Sequence, residues 1–155
     1  MDLQAELDRF LDQRERLTRA MRHELRMGTS VRQIAFRVAP AFSRDVVKEY
    51  LRAVAIANAA GAALSHAGVN EAFVVAVTGI DVPREATLRL VADLDRTRDY
   101  PAIAVRAREV LLESGIDLVL GHRGGRGRDK FIDETVDALL TGGRVRLVKL
   151  STAGS

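Results

Sequence analysis

The chain contains no cysteine in 155 residues, so disulfides, thiolate nucleophiles and sulfur-ligated metal sites drop out at once. It also lacks any apolar run near the roughly 20 residues that span a bilayer. The best stretch, VAIANAAGAAL at 54–64, is too short and too rich in alanine. No membrane partner is expected. The N-terminal residues are acidic and polar, unlike a secretory signal, so the expected location is cytoplasmic, in association with the nucleoid. Histidine is scarce: His23, His66 and His122 stand far apart and in no metal-ligand spacing. No metal site and no cofactor are therefore expected. No internal repeat is visible. Lysine is scarce as well, with Lys48, Lys130 and Lys149 the only three among 24 basic residues. With abundant alanine and valine, this bias fits a GC-rich bacterial coding sequence, and part of the arginine content then reflects codon usage.

Apolar residues make up 47% of the chain, enough for one good core or for a helical module followed by a second small domain. The net charge is only +3, but it is unevenly spread. Residues 1–12 hold one basic and four acidic groups, residues 13–52 hold ten basic and four acidic groups, and the remainder is balanced. Positive charge is thus concentrated in the second segment.

From Asp2 to about Met27 there is no glycine or proline, and helix formers dominate. Leu3, Leu7, Phe10, Leu17 and Met21 form an apolar stripe at heptad-like spacing, broadened by Leu11 and Leu25 and interrupted by Arg14. Two readings stand side by side: a dimer seam, or a helix packed on its own neighbours. Arg19, Arg22 and Arg26 share one face and are candidates for phosphate contact. Gly28 ends the helix.

Ser30–Leu51, SVRQIAFRVAPAFSRDVVKEYL, predicts two helices around a tight turn. Ser30 or Thr29 supplies the first N-cap, and Val31, Ile34, Ala35 and Val38 share a face. Ala39-Pro40 ends that helix, Phe42 plugs the corner, and Ser43 caps the second helix with Asp45 in its first turn. Val46, Tyr50 and Val54 are expected inward, leaving Arg44, Asp45, Val47, Lys48 and Arg52 outward. With its small residue at Ala35 and branched residues at Ile34, Val38 and Val46, this stretch resembles the helix-turn-helix family of bacterial regulators. The usual turn glycine is replaced by Ala39, and the turn is APAFS. The resemblance implies double-stranded DNA as partner. It places Arg44, Asp45, Val47 and Lys48 at base edges in the major groove and Arg37 and Arg52 near phosphates, with Ser43 at the helix start also in the DNA-binding set. It also implies a homodimer acting as a transcriptional regulator. The plain alternative is a pair of packed helices with a solvated charged face.

Helical pattern continues through LRAVAIANAAGAALSHAGV, with Gly61 as an interior breaker near which the helix either runs on or breaks. Gly68 terminates it. His66 reads as a cation at the helix end. The rest alternates strand and helix. FVVAV at 73–77 reads as a buried strand, and ATLRLVADLD at 86–95 as a half-buried strand in preference to a helix. A helix opens at Tyr100-Pro101 and closes at Gly115. Residues 116–120 form a strand. Residues 129–140 form a helix with Phe131, Ile132, Val136, Leu139 and Leu140 inward, and 145–150 a final strand. The expected fold class is α+β. An all-helical helix-turn-helix head over 1–68 is followed by a small α/β sandwich over 71–150, for dimerisation or ligand sensing. The layout is similar to that of leucine-responsive regulators, but the element order differs and no motif is shared.

GHRGGRGRDK at 121–130 is a glycine-rich loop leading into a helix, with Arg123, Arg126, Arg128 and Lys130 as phosphate-binding candidates. It has neither P-loop nor dinucleotide-binding spacing. A second DNA contact, a site for a small anionic ligand, and a solvated loop all remain open. Asp93 and Asp95, paired on one strand face, could join this loop in a metal-dependent phosphoester or nucleotide-handling enzyme. Surface ion pairing with Arg96 and Arg98 explains the same residues without catalysis. No catalytic residues are assigned, and a non-enzymatic protein is expected. A helical adaptor for another protein is the first rival to the regulator.

Overall fold

The computed structural model describes residues 2–81, 84–91, 99–120 and 134–150. Its elements follow in the order α1 (Leu3–Arg26), α2 (Val31–Arg37), α3 (Arg44–His66), a short 3-10 turn (Asn70–Ala72), β1 (Phe73–Val77), β2 (Ala86–Leu90), α4 (Tyr100–Glu113), β3 (Ile116–Val119), α5 (Glu134–Leu140) and β4 (Arg144–Lys149). The architecture is α+β, with N-terminal helices followed by strands, and the order of strands and helices after residue 70 is the one the sequence pattern predicts. Residues 86–90 are strand. The rest of the 86–95 segment, including Asp93 and Asp95, lies outside the described residues, as do Phe131 and Ile132.

Two compact units divide the chain: residues 1–52 with 79–82, and residues 53–78 with 83–155. The division falls within α3, not at 68–71 as the sequence suggests. The cause is visible in the packing. Ala57, Ala60 and Leu64 of α3 belong to the same buried cluster as Phe73, Leu88, Leu111, Leu118, Leu139 and Val145. The alanine-rich half of α3 is therefore a core helix of the α/β unit. It also does not break at Gly61, since α3 is continuous to His66.

In the second unit a four-stranded antiparallel sheet has the order β1-β2-β4-β3. Alternate residues of β4 and β3 enter the core, Val145 and Leu147 from the first and Ile116 and Leu118 from the second, together with Phe73 from β1 and Ala86 and Leu88 from β2, where the intervening Thr87 is buried as well. Register fixes this, because Val75 pairs with Leu88 and Leu88 with Val145 on one face. Ala107 and Leu111 of α4 and Leu139 of α5 complete the cluster. Asp99 caps α4 through the Ala102 amide, with Pro101 in the first turn, where its missing N–H costs nothing.

In the first unit Asp2 caps α1, and Ser30 and Gln33 form a reciprocal capping box at the start of α2. The buried residues are Thr18 and Met21 of α1, Ile34 and Ala35 of α2, Phe42 of the turn, Val47, Tyr50 and Leu51 of α3, and Ile80. Only the C-terminal half of α1 takes part. Leu3, Leu7, Phe10 and Leu11 are exposed, at 83%, 45%, 60% and 47%. The interruption at Arg14 has a structural role. Its guanidinium lies 4.9 Å from the centre of the Phe42 ring and is ion-paired with Asp81.

Candidate nucleic-acid interface

The turn between α2 and α3 is built by short-range bonds. The Ala41 and Phe42 amides donate to the Val38 carbonyl at 2.8 and 3.1 Å, closing a turn across Pro40, which has no N–H of its own to donate. Phe42 is buried beneath it. Ser43 then opens α3, its hydroxyl accepting from the Val46 amide at 3.3 Å. The α3 N-terminus is thereby held beside the outward face of α2.

Between them lies a concave surface of about 790 Å³, lined by Thr29, Arg32, Gln33, Ala35, Phe36, Arg37, Arg44 and Lys48. Four of these eight residues are cationic. Two features shape the charge. Arg44 sits over the exposed Phe36 ring at 5.6 Å, an arrangement that fixes the guanidinium while leaving its donors free for an anion. Arg37 lies 3.8 Å from Glu24, whose carboxylate also accepts a 2.7 Å bond from the Thr29 hydroxyl. Glu24 thus partly offsets one of the four cations and ties α1 to the α2 entry.

Of the residues expected from the sequence, Arg37, Arg44 and Lys48 line this groove. Ser43 serves as the helix cap, and Asp45 and Arg52 are exposed but do not line it. Val47 requires a correction: it is 0% exposed and belongs to the core. The inward stripe of α3 is Val47, Tyr50, Leu51 and Val54, at i, i+3, i+4 and i+7, and Val46 is only half-buried. Val47 therefore cannot touch a base edge. Arg19, Arg22 and Arg26 do not line the groove. Arg22 is held by the Tyr50 hydroxyl at 2.8 Å, and Arg19 lies 3.5 Å from Glu15. Arg123, Arg126, Arg128 and Lys130 lie outside the described residues, and with them the glycine-rich loop.

Arg32, Gln33 and Phe36 are groove residues absent from the sequence-based expectation. Their signal is nevertheless in the pattern: with Ile34 and Ala35 inward, positions 32, 33, 36 and 37 form the opposite stripe of α2. Among the described residues, no group of three or more His, Asp or Glu side chains could hold a metal ion, and no helix is long and apolar enough to cross a membrane. Comparison with protein-family models, with curated proteins and with solved structures finds no match for this chain.

Proposed function

We propose that the chain is a sequence-specific double-stranded DNA-binding protein, a transcriptional regulator acting as a dimer from the cytoplasmic or nucleoid compartment. The observation that carries this reading is the groove of Arg32, Arg37, Arg44 and Lys48 at the start of a capped helix. Four cations around one concave surface match the demand of a phosphate backbone, whose neutralisation dominates the affinity of DNA-binding proteins. The helix-turn-helix resemblance of residues 30–51 supplies the mode. The first turns of α3 enter the major groove, Arg44 and Lys48 reach base edges, and Arg32 and Arg37 approach phosphates. A dimer then reads two half-sites about one helical turn apart. No catalytic step, metal or cofactor enters this reading.

Selection of bound sequences from a random duplex library, followed by titration of the enriched site at two salt concentrations, tests it. The expected result is an enriched near-palindrome whose affinity falls by about 1–3 kcal/mol on Arg44→Ala. Weak salt-sensitive binding with no enriched motif would replace a regulator with a non-specific architectural protein. Absence of binding would overturn the reading.

A further inference from the structure

The face of the sheet turned away from the core carries an arrangement of charge that folding alone does not favour. The Thr78 amide donates to the Glu85 carbonyl and the Val91 amide to the Ala72 carbonyl. The odd-numbered residues of β2 therefore bond to β1, and the even-numbered ones to β4. Arg89 and Arg144, partners in register, are thus a non-hydrogen-bonded pair. That is the closer of the two cross-strand spacings, with Cα atoms about 4.5 Å apart. Like charges directly opposite each other there destabilise a sheet. Thr87 pairs with Arg146 on the same face, so the three arginines and Thr87 mark the corners of one small rectangle.

Among the described residues no acid relieves the pair. Glu85 lies 3.3 Å from Arg146, and Asp117 lies 3.7 Å from Arg108. Arg89 and Arg144 make no hydrogen bond or ion pair with any described residue, and the Arg146 Nε is buried without a hydrogen-bond partner there. The face is open beside them. Val74, opposite Arg89 on β1, and Ala76, opposite Thr87, are exposed, as is Arg144, while Arg89 is half-buried. Two uncompensated cations side by side match a phosphate monoester, which carries about −1.5 to −2 charge near neutrality. A DNA phosphodiester carries a single charge. Planar guanidinium forks bind phosphate oxygens in pairs. We propose that Arg89 and Arg144, with Arg146 beside them, hold the phosphate of a small phosphomonoester. Bound there, the dianion replaces a repulsion with charge-assisted hydrogen bonds. The site belongs to the α/β unit alone and does not rest on the DNA reading of α2 and α3.

Calorimetric titration of the full chain with methyl phosphate and with dimethyl phosphate tests it, at about pH 8, where the monoester is a dianion. The diester stands in for the DNA backbone. The wild type should bind methyl phosphate about tenfold more tightly than dimethyl phosphate. Arg89→Gln and Arg144→Gln should each weaken methyl phosphate binding about tenfold. Arg106→Gln, which removes an exposed cation from α4, should leave it unchanged. Without ligand, Arg89→Gln and Arg144→Gln should be at least as stable as the wild type in denaturant unfolding, since each removes a like-charge contact. That readout separates a lost anion site from a damaged sheet. Affinity for duplex DNA should be the same in both variants as in the wild type. A wild type that does not bind methyl phosphate, or that binds the two probes equally, would overturn the proposal. So would an equal loss in Arg106→Gln, or a drop in stability in Arg144→Gln. Loss of DNA affinity in Arg89→Gln and Arg144→Gln would make these arginines a backbone contact and overturn it as well.

Discussion

Val47 and Lys48 are adjacent in sequence and opposite in role. Val47 is fully buried and Lys48 lines the groove. Val47→Ala removes two buried methyl groups and leaves a small cavity, so it should lower stability by about 2 kcal/mol in denaturant unfolding. Its DNA affinity at a temperature where it is folded should stay within about twofold of wild type. Lys48→Ala should do the reverse: stability within about 0.5 kcal/mol, but affinity for the enriched site lower by about 1–3 kcal/mol. The sequence places Lys48 correctly and Val47 wrongly for one reason. An inward set of Val46, Tyr50 and Val54 is a stripe at strict i+4 spacing, which drifts around a helix of 3.6 residues per turn. The observed stripe at i, i+3, i+4 and i+7 stays in place. Arg32 and Phe36 are hidden among the residues of a short helix without a family motif of their own, although the burial of Ile34 and Ala35 dictates that they face outward.

Glycine separates the elements into those tuned for packing and those that tolerate change. Gly61 lies inside α3, and a Cβ there would meet nothing within 4 Å. Gly61→Ala should therefore stabilise the α/β unit by up to about 1 kcal/mol, seen as a higher unfolding midpoint. Gly143, between α5 and β4, is the opposite case. Its amide donates to the Ala138 carbonyl at 2.7 Å, and a Cβ would lie 2.7 Å from that same oxygen. Gly143→Ala forces the α5 terminus and β4 apart and should cost about 1–3 kcal/mol. Loss of stability in Gly61→Ala, or neutrality in Gly143→Ala, would contradict these packing assignments. The same elements show what the pattern could convey. Periodicity reveals the strands and helices after residue 70, because the apolar alternation of β2 and the Tyr100-Pro101 opening of α4 are local properties. It reveals no boundary within α3, because whether Ala57, Ala60 and Leu64 pack with the helices before them or the sheet after them is decided by long-range packing. Nor does it show where the stripe of α1 is covered and where it is bare.

For the molecule as a whole, charge location matters more than charge total. The net charge of +3 is modest, and most of the 24 basic residues are matched by acids. A protein bound to DNA by general electrostatic attraction would respond to removal of any cation. One bound through the groove between α2 and α3 would respond only to removals there. Two double variants with the same net charge distinguish these cases. Arg32→Gln with Arg37→Gln removes the two groove cations assigned to phosphates. Arg106→Gln with Lys149→Gln removes two exposed cations of the α/β unit, on α4 and β4. On a fixed duplex, the groove pair should make the log–log salt slope shallower by about 1.8, near 0.9 for each phosphate no longer neutralised. The pair on α4 and β4 should leave the slope unchanged and the affinity within about twofold, because neither residue lines the groove. Equal effects from both pairs would mean that DNA is held by the diffuse basicity of an arginine-rich chain, and the groove would have no special role. A large effect from the α4/β4 pair alone would move the interface to the sheet unit, where Arg89 and Arg144 stand directly opposite each other on β2 and β4.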